Sequence, residues 1–238
     1  MHVDLTDFDA LSFDCYGTLI DWESGILAVL APWAKAAGLA LSGDQLLAVY
    51  AAHEARIEAG HGQWLYPAVL AETFAAVGRE LEVAVPAGSM AELARSVPRW
   101  PPFPDSSGAL AELGTRYKLV IVSNVDRQSF AGSSAALGVS FDAVITAQDV
   151  GSYKPAAANF EALLAGVGDL GVAPGRLLHV AQSLFHDHVP AKAFGLSTVW
   201  INRRAGRPGW GATPRPQGGV APDWEFASMA DFAAAAQR

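Results

Sequence analysis

Three observations place this chain in the α/β class, with a mostly parallel sheet and a helical insertion near its start. Five short apolar runs recur along it with few polar breaks, as expected of strands covered on both faces. Helical patterns separate the last four runs, and alternation of this kind builds parallel sheets. A long stretch that reads as helix after helix separates the first run from the second.

The first strand is expected over Ala10–Phe13 and leads into Asp14-Cys15-Tyr16-Gly17-Thr18. The insertion follows, with helices expected over residues 26–37, from Ser42 towards Glu58, over 63–82 and over 87–96. Ser42 followed by Gln45 is the signature of a capping box, in which side chains and backbone at a helix start bond each other reciprocally. Trp100-Pro101-Pro102-Phe103-Pro104 reads as a stiff return linker, because proline cannot continue a helix. The chain therefore divides into residues 1–21 and 99–238, a Rossmann-like core, and residues 22–98, a helical cap over the tip of the first strand. The remaining strands are expected at 119–122, Ala143–Thr146, Leu177–Ala181 and 198–201, with helices at 106–116, 128–137, 159–167 and 189–194. Residues 204–222, rich in Gly, Pro and Arg, read as loop, and 229–237 as a closing helix.

With 238 residues, 51% of them hydrophobic and 17% charged, the composition is globular rather than disordered and the chain is long enough to bury a sizeable core. A net charge of −8 argues against nucleic acid, which needs a basic surface, but leaves room for a local cationic pocket. The single cysteine, Cys15, precludes an intrachain disulfide and reads as a small buried filler. No apolar run reaches the length of a membrane span, and the start lacks the charged and apolar regions of a signal peptide, so a cytoplasmic protein is expected.

In a parallel sheet the strand ends converge on one edge, where ligands bind. Asp14 follows the first strand, Ser123-Asn124 end the second, Tyr153-Lys154-Pro155 follow the third, and Gln182, Ser183 and Asp187 follow the fourth. A carboxylate, hydroxyls, amides, an ammonium and a second carboxylate would then share one edge. The position two after Asp14 is Tyr16, so the first carboxylate stands alone. That suits a nucleophile, whereas paired carboxylates suit an acid/base couple or a metal site. Single residues among these have plainer readings: Asp187 suits a helix N-cap as well as a site. His179, His186 and His188 around Asp187 invite a zinc reading, but His179 belongs to an apolar strand and the ligand set is thin. Gly206 to Gly211 lacks the following helix that a nucleotide loop needs.

The ordered set resembles the haloacid dehalogenase-like superfamily, matching four motifs in order across the core. The resemblance places the nucleophile on Asp14 within D-x-Y-G-T, the second-motif hydroxyl on Ser123, the lysine on Lys154 and the fourth motif on residues 182–187. Most members of the superfamily are magnesium-dependent phosphatases, with an Asp two after the nucleophile and an acid opening the fourth motif. Here those positions are Tyr16 and Gln182, which points to the metal-free branch, similar to L-2-haloacid dehalogenases. Thr146-Ala147-Gln148-Asp149-Val150-Gly151-Ser152-Tyr153-Lys154-Pro155 also resembles related hydrolases, one activity among which is ring opening of azetidine-2-carboxylate. The arginine that dehalogenases carry in the cap falls on Tyr50, with Arg56 nearby, and their tyrosine after the lysine motif falls on Phe160.

The resemblance implies a small carboxylic acid as substrate, no metal and no cofactor. Asp14 would attack the α-carbon, halide or ring nitrogen would leave, and water assisted by Asp187 would hydrolyse the aspartyl ester. Lys154 would keep Asp14 ionised, since a nearby cation lowers a carboxylate pKa. Thr18 and Ser123 would orient the nucleophile, and backbone N–H groups beside Tyr16 would hold the ester oxyanion. Tyr16, Asn124, Trp22, Tyr50, Gln182, His186 and Phe160 are the expected substrate contacts, with His186 a candidate acid towards a leaving amine. A 2-haloacid is the leading substrate, a strained cyclic amino acid the next; the rivals are a phosphatase with an altered metal site and a catalytically idle binding protein. Related enzymes often dimerise, so a homodimer is among the expectations.

Overall fold

The computed structural model describes residues 4–216 and 218–237. Strand β1 (Ala10–Phe13) is buried along its whole length. Four helices follow before the chain returns to the sheet: α1 (Trp22–Ala36), α2 (Gly43–Gly60), α3 (Tyr66–Glu80) and α4 (Ala87–Ala94). Helix α5 (Ser106–Leu113) then leads into β2 (Lys118–Ser123), α6 (Arg127–Leu137) and β3 (Ala143–Thr146). A single turn, α7 (Ala147–Val150), and α8 (Ala157–Asp169) precede β4 (Leu177–Ala181). The chain ends through α9 (Val189–Ala193), β5 (Ser197–Ile201), β6 (Trp224–Phe226) and α10 (Met229–Ala236).

The strands form one sheet in the order β3-β2-β1-β4-β5-β6, and every neighbouring pair is parallel. The chain moves outward from β1 through β2 to β3, then crosses to β4 on the other side. That reversal opens a crevice at the carboxyl ends of β1 and β4, where α/β sheets bind ligands. Alternation along each strand divides the core between two faces. Leu11, Phe13, Ile121, Val180 and Ile201 pack on the larger one, with residues of α1, α5 and α10. Ala10, Val120, Val122 and Leu177 pack on the other against Phe160 and Leu163 of α8.

Most elements lie where periodicity places them, and the differences have local causes. Helix α1 begins at Trp22 rather than residue 26, because Asp21 caps it and accepts from the Ser24 N–H (3.2 Å) and hydroxyl (2.6 Å). Helix α3 begins at Tyr66 rather than 63, with Pro67 in the first turn, where its missing N–H has no partner to lose. The capping box of Ser42 and Gln45 is formed (2.8 and 3.3 Å). Strand β6 and the turn α7 escape the sequence reading, since three half-covered residues around Glu225 and four residues between motifs leave no period to detect.

The insertion leaves and rejoins the core at one place. The Asp21 N–H donates to the Pro101 carbonyl (2.8 Å), and Ile20 bridges to Pro102 in antiparallel sense. Among the described residues no helix is long and apolar enough to cross a membrane.

Candidate active site

After β1 the chain turns tightly: Leu19 and Ile20 donate back to the Cys15 carbonyl (2.8 and 3.0 Å) and Gly17 to Ile20 (2.8 Å). Gly17 has φ +92°, and a Cβ there would stand 3.0 Å from the Trp22 indole nitrogen. Only glycine accommodates both conditions without strain. The turn holds Asp14 at the sheet edge and brings Thr18 back over it, its hydroxyl donating to Asp14 Oδ2 (2.7 Å). Thr18 in turn accepts from the Gln182 N–H (2.9 Å), tying the β1 turn to the end of β4.

Lys154 arrives from the loop after α7 with 1% of its surface exposed. Its ammonium donates to Asp14 Oδ1 (2.9 Å), Asp187 Oδ1 (2.7 Å) and the Val122 carbonyl (2.9 Å). All three of its hydrogens have acceptors. A second line of polar groups runs beneath: Ser12 Oγ lies 2.9 Å from His179 Nδ1, and His179 Nε2 lies 3.1 Å from Asp187 Oδ1. Asn124 clasps the loop, accepting from the Lys154 N–H (2.7 Å) and donating to the Lys154 carbonyl (3.0 Å).

The electrostatics differ in one respect from expectation. Burial pushes the Asp14 carboxyl above its ordinary range, and the Lys154 ammonium does not fully offset it; the Asp187 charge pushes the same way as burial. The lysine remains the charge that favours the anion, but it does not lower Asp14 below a free carboxylate. Burial also works against Asp187, yet Lys154 and His179 outweigh it and hold that group well below the usual range. Burial works against Lys154 too, and the two carboxylates more than compensate. His186 is pushed down to about 4 by burial, so it is neutral near pH 7 and does not fit the imidazolium acid considered above.

Asp14, Tyr16, Trp22, Ser123, Asn124, Lys154, His186 and Asp187 line one cavity of about 30 Å³, and Thr18 is bonded to its Asp14 without lining it. Three expected contacts do not reach it. Phe160 is fully buried on the α8 side of the sheet, edge-on to the His179 ring at 5.7 Å, and so backs the polar line from behind. Tyr50 is fully buried in the insertion and donates to Glu54 Oε1 (2.7 Å). Gln182 faces an outer cleft of about 320 Å³ beside Arg203, its amide oxygen accepting from Thr213 (3.2 Å). Arg56 is exposed and turns to His53.

The lining also includes Ser183, expected at the sheet edge, Tyr66, and three residues that sequence reasoning missed: Glu54, Glu58 and Thr213. Glu54 Oε1 accepts from the Tyr66 hydroxyl (2.9 Å) as well as from Tyr50, and Glu58 Oε2 accepts from Asn124 (3.2 Å). The spacing of Tyr50, Glu54 and Glu58 carried the signal: every fourth residue puts them on one helix face. Thr213 lies in the loop after β5 and has no periodic signal at all.

Comparison with known proteins places this geometry. Residues 8–193 match the family of haloacid dehalogenase-like hydrolases. A search among curated proteins returns no match. Similar solved structures include a defluorinating L-2-haloacid dehalogenase (TM-score 0.76, 23% identity, 97% of this chain and 96% of that one). The L-2-haloacid dehalogenase of Xanthobacter autotrophicus with chloropropionic acid covalently bound is also similar (TM-score 0.75, 23% identity, 97% and 98%). So is a HAD-hydrolase, YfnB, of Bacillus subtilis bound to magnesium (TM-score 0.75, 16% identity, 97% and 99%). At these identities the likeness is one of fold, and it spans both a dehalogenase and a magnesium-bound hydrolase. The match over most of the core, with the shared sheet and inserted helices, shows that the chain belongs to the haloacid dehalogenase-like hydrolase family.

Proposed function

We propose that the protein displaces a leaving group from the α-carbon of a small carboxylic acid, using Asp14 as a nucleophile and no metal. One observation carries this: the buried Lys154 ammonium donates to both Asp14 and Asp187 and so supplies positive charge to both carboxylates of the site. The two positions that distinguish the magnesium enzymes also lack suitable donors. Tyr16 offers a phenol engaged with Ser133 (2.9 Å), and the Gln182 amide faces the outer cleft. Magnesium prefers carboxylate and water oxygens, so this donor set does not fit it.

In the first step an Asp14 oxygen forms a bond to the α-carbon and the bond to the leaving group breaks, its electron pair departing with halide or with a ring nitrogen. Thr18 fixes one carboxyl oxygen and Lys154 the other. In the second step water attacks the Asp14 ester carbonyl, passes a proton towards the free Oδ2 of Asp187, and the hydroxy acid leaves. Backbone N–H groups beside Tyr16 would hold the developing oxyanion. Splitting one hard displacement into two easier steps is the gain of covalent catalysis. A single turnover in ¹⁸O-labelled water should place the label in Asp14, detectable by peptide mass. Label appearing only in product would overturn the covalent route.

A 2-haloacid and a strained cyclic amino acid both satisfy this scheme. The acidic insertion wall, without the arginine expected for a halide, favours the second.

A further inference from the structure

We infer that the insertion wall of this cavity is a subsite for a cationic nitrogen, built by Glu54 and Glu58, and that the substrate carries an ammonium beside its reacting carbon. The inference rests on the proposed reaction but concerns a different part of the ligand.

Charge is the first argument. The Lys154 ammonium is the cation in the cavity lining among the described residues, and it is already shared by Asp14 and Asp187. Glu54 and Glu58 add two buried carboxylates with no cation of their own. Burying a carboxylate costs several kcal/mol unless it is compensated, on the order of the stability of a small domain. Burial pushes Glu54 up to about 7, with the Tyr50 and Tyr66 hydroxyls opposing, and pushes Glu58 well above its ordinary value, with the neighbouring Glu54 adding to it. These shifts favour the protonated acids while the cavity is without a cation, and an ammonium seated beside the two carboxyls would draw both back towards the charged form. A halide or a second carboxylate would be repelled there; an ammonium would relieve the strain.

Positioning is the second. Each carboxylate is aimed: Glu54 by two tyrosine hydroxyls, Glu58 by Asn124, whose other contacts hold Lys154. Tyr16 and Tyr66, with ring centroids 6.3 Å apart, line the same space, and aromatic rings attract cations.

Unused polar atoms are the third. His186 Nε2 and Ser123 Oγ are buried, line the cavity and have no hydrogen-bond partner. His186 Nε2 lies 3.8 Å from Glu58 Oε2. Buried polar atoms left unpaired cost about 1–3 kcal/mol each, so the cavity is shaped for a ligand that supplies partners. Ser183 Oγ accepts from the His186 backbone N–H (2.9 Å) and lies 3.1 Å from ring Nδ1. With the hydroxyl donating to Nδ1, the imidazole proton sits on Nε2 and, with Ser123, offers a donor to the substrate carboxylate. The site then has an acceptor end and a donor end, the complement of a small amino acid.

The test compares two near-isosteres by calorimetry on the full-length Asp14→Asn protein, in which chemistry is blocked. Azetidine-2-carboxylate carries the ring ammonium, and cyclobutanecarboxylate replaces it with carbon. The amine should bind and the carbocycle should bind at least ~tenfold more weakly, the scale of a charged hydrogen bond. Adding Glu58→Gln should cost the amine about tenfold or more and leave the carbocycle unchanged. No binding of the amine, or equal affinity for both acids, overturns the inference. Separately, 2-chloropropionate turnover with label in Asp14 but no binding of the amine would sink the cation subsite and spare the covalent reaction. Amine turnover without label in Asp14 would do the reverse.

Discussion

At the scale of single residues the site depends on one buried ammonium between two carboxylates. Asp14→Asn should keep the fold, since the amide oxygen can still accept from Lys154 while its NH2 donates to the Thr18 hydroxyl, yet lower kcat by roughly 10³-fold or more on any substrate found. Circular dichroism and product assay separate the two effects. Lys154→Met should cost about 3–5 kcal/mol of stability, because it leaves Asp14 and Asp187 facing each other in a dry site. A fall in the urea midpoint at unchanged m-value would show it. His188 gives a pH test. It is buried, bonded to the Ala181 carbonyl (2.9 Å), and burial pushes it down to about 4. An unfolded histidine titrates near 6.5. As pH falls below ~6.5 the unfolded chain takes up the proton first, so this group's contribution to stability is lost between ~6.5 and about 4. Removing it by His188→Asn should flatten the dependence of unfolding free energy on pH in that window by up to ~1.4 kcal/mol per unit.

At the scale of elements, the sequence made strands and motif residues legible because they are local. Of the motif positions, Asp14 and Ser123 sit at strand ends and Lys154 and Asp187 in the segments that follow β3 and β4, and all four can be located from apolar runs. The insertion side of the cavity was harder. Its helices were visible from period and capping, but which face turns to the core depends on how two parts of the chain dock. Arg56 looked chemically apt and Glu58 did not, yet one helical face carries Glu58 inward and leaves Arg56 exposed. Phe160 misled for the same reason, since correspondence with a motif position cannot tell the two faces of a sheet apart. Packing between elements is tight where α1 meets the return linker. A Cβ on Gly25 would come within 2.2 Å of the Trp100 ring. Alanine there gains about 1 kcal/mol of helix propensity. Overpacking a ring costs about 1–3 kcal/mol, so Gly25→Ala should lower the midpoint of thermal unfolding.

For the whole molecule, the cavity sets a condition on turnover. About 30 Å³ has room for about two water molecules, not for a carboxylic acid with a leaving group. We expect the inserted helices to part from the sheet edge to admit substrate and release product. The Tyr153 hydroxyl bonded to the Trp64 carbonyl (2.7 Å) and Asn124 bonded to Glu58 are contacts that such a movement would break. Where such opening limits the rate, kcat should fall in proportion to solvent viscosity, measured in sucrose or glycerol. A kcat indifferent to viscosity would assign the slow step to chemistry.

The paired crossing of Asp21 and Pro101 has a further consequence. Because the two junctions touch, residues 22–98 behave geometrically like a cassette with both ends on one clip. A chimaera carrying a relative's segment between those junctions should leave the six-stranded scaffold and its Asp14–Lys154–Asp187 cluster where they are. Only the wall that meets the ligand would be exchanged.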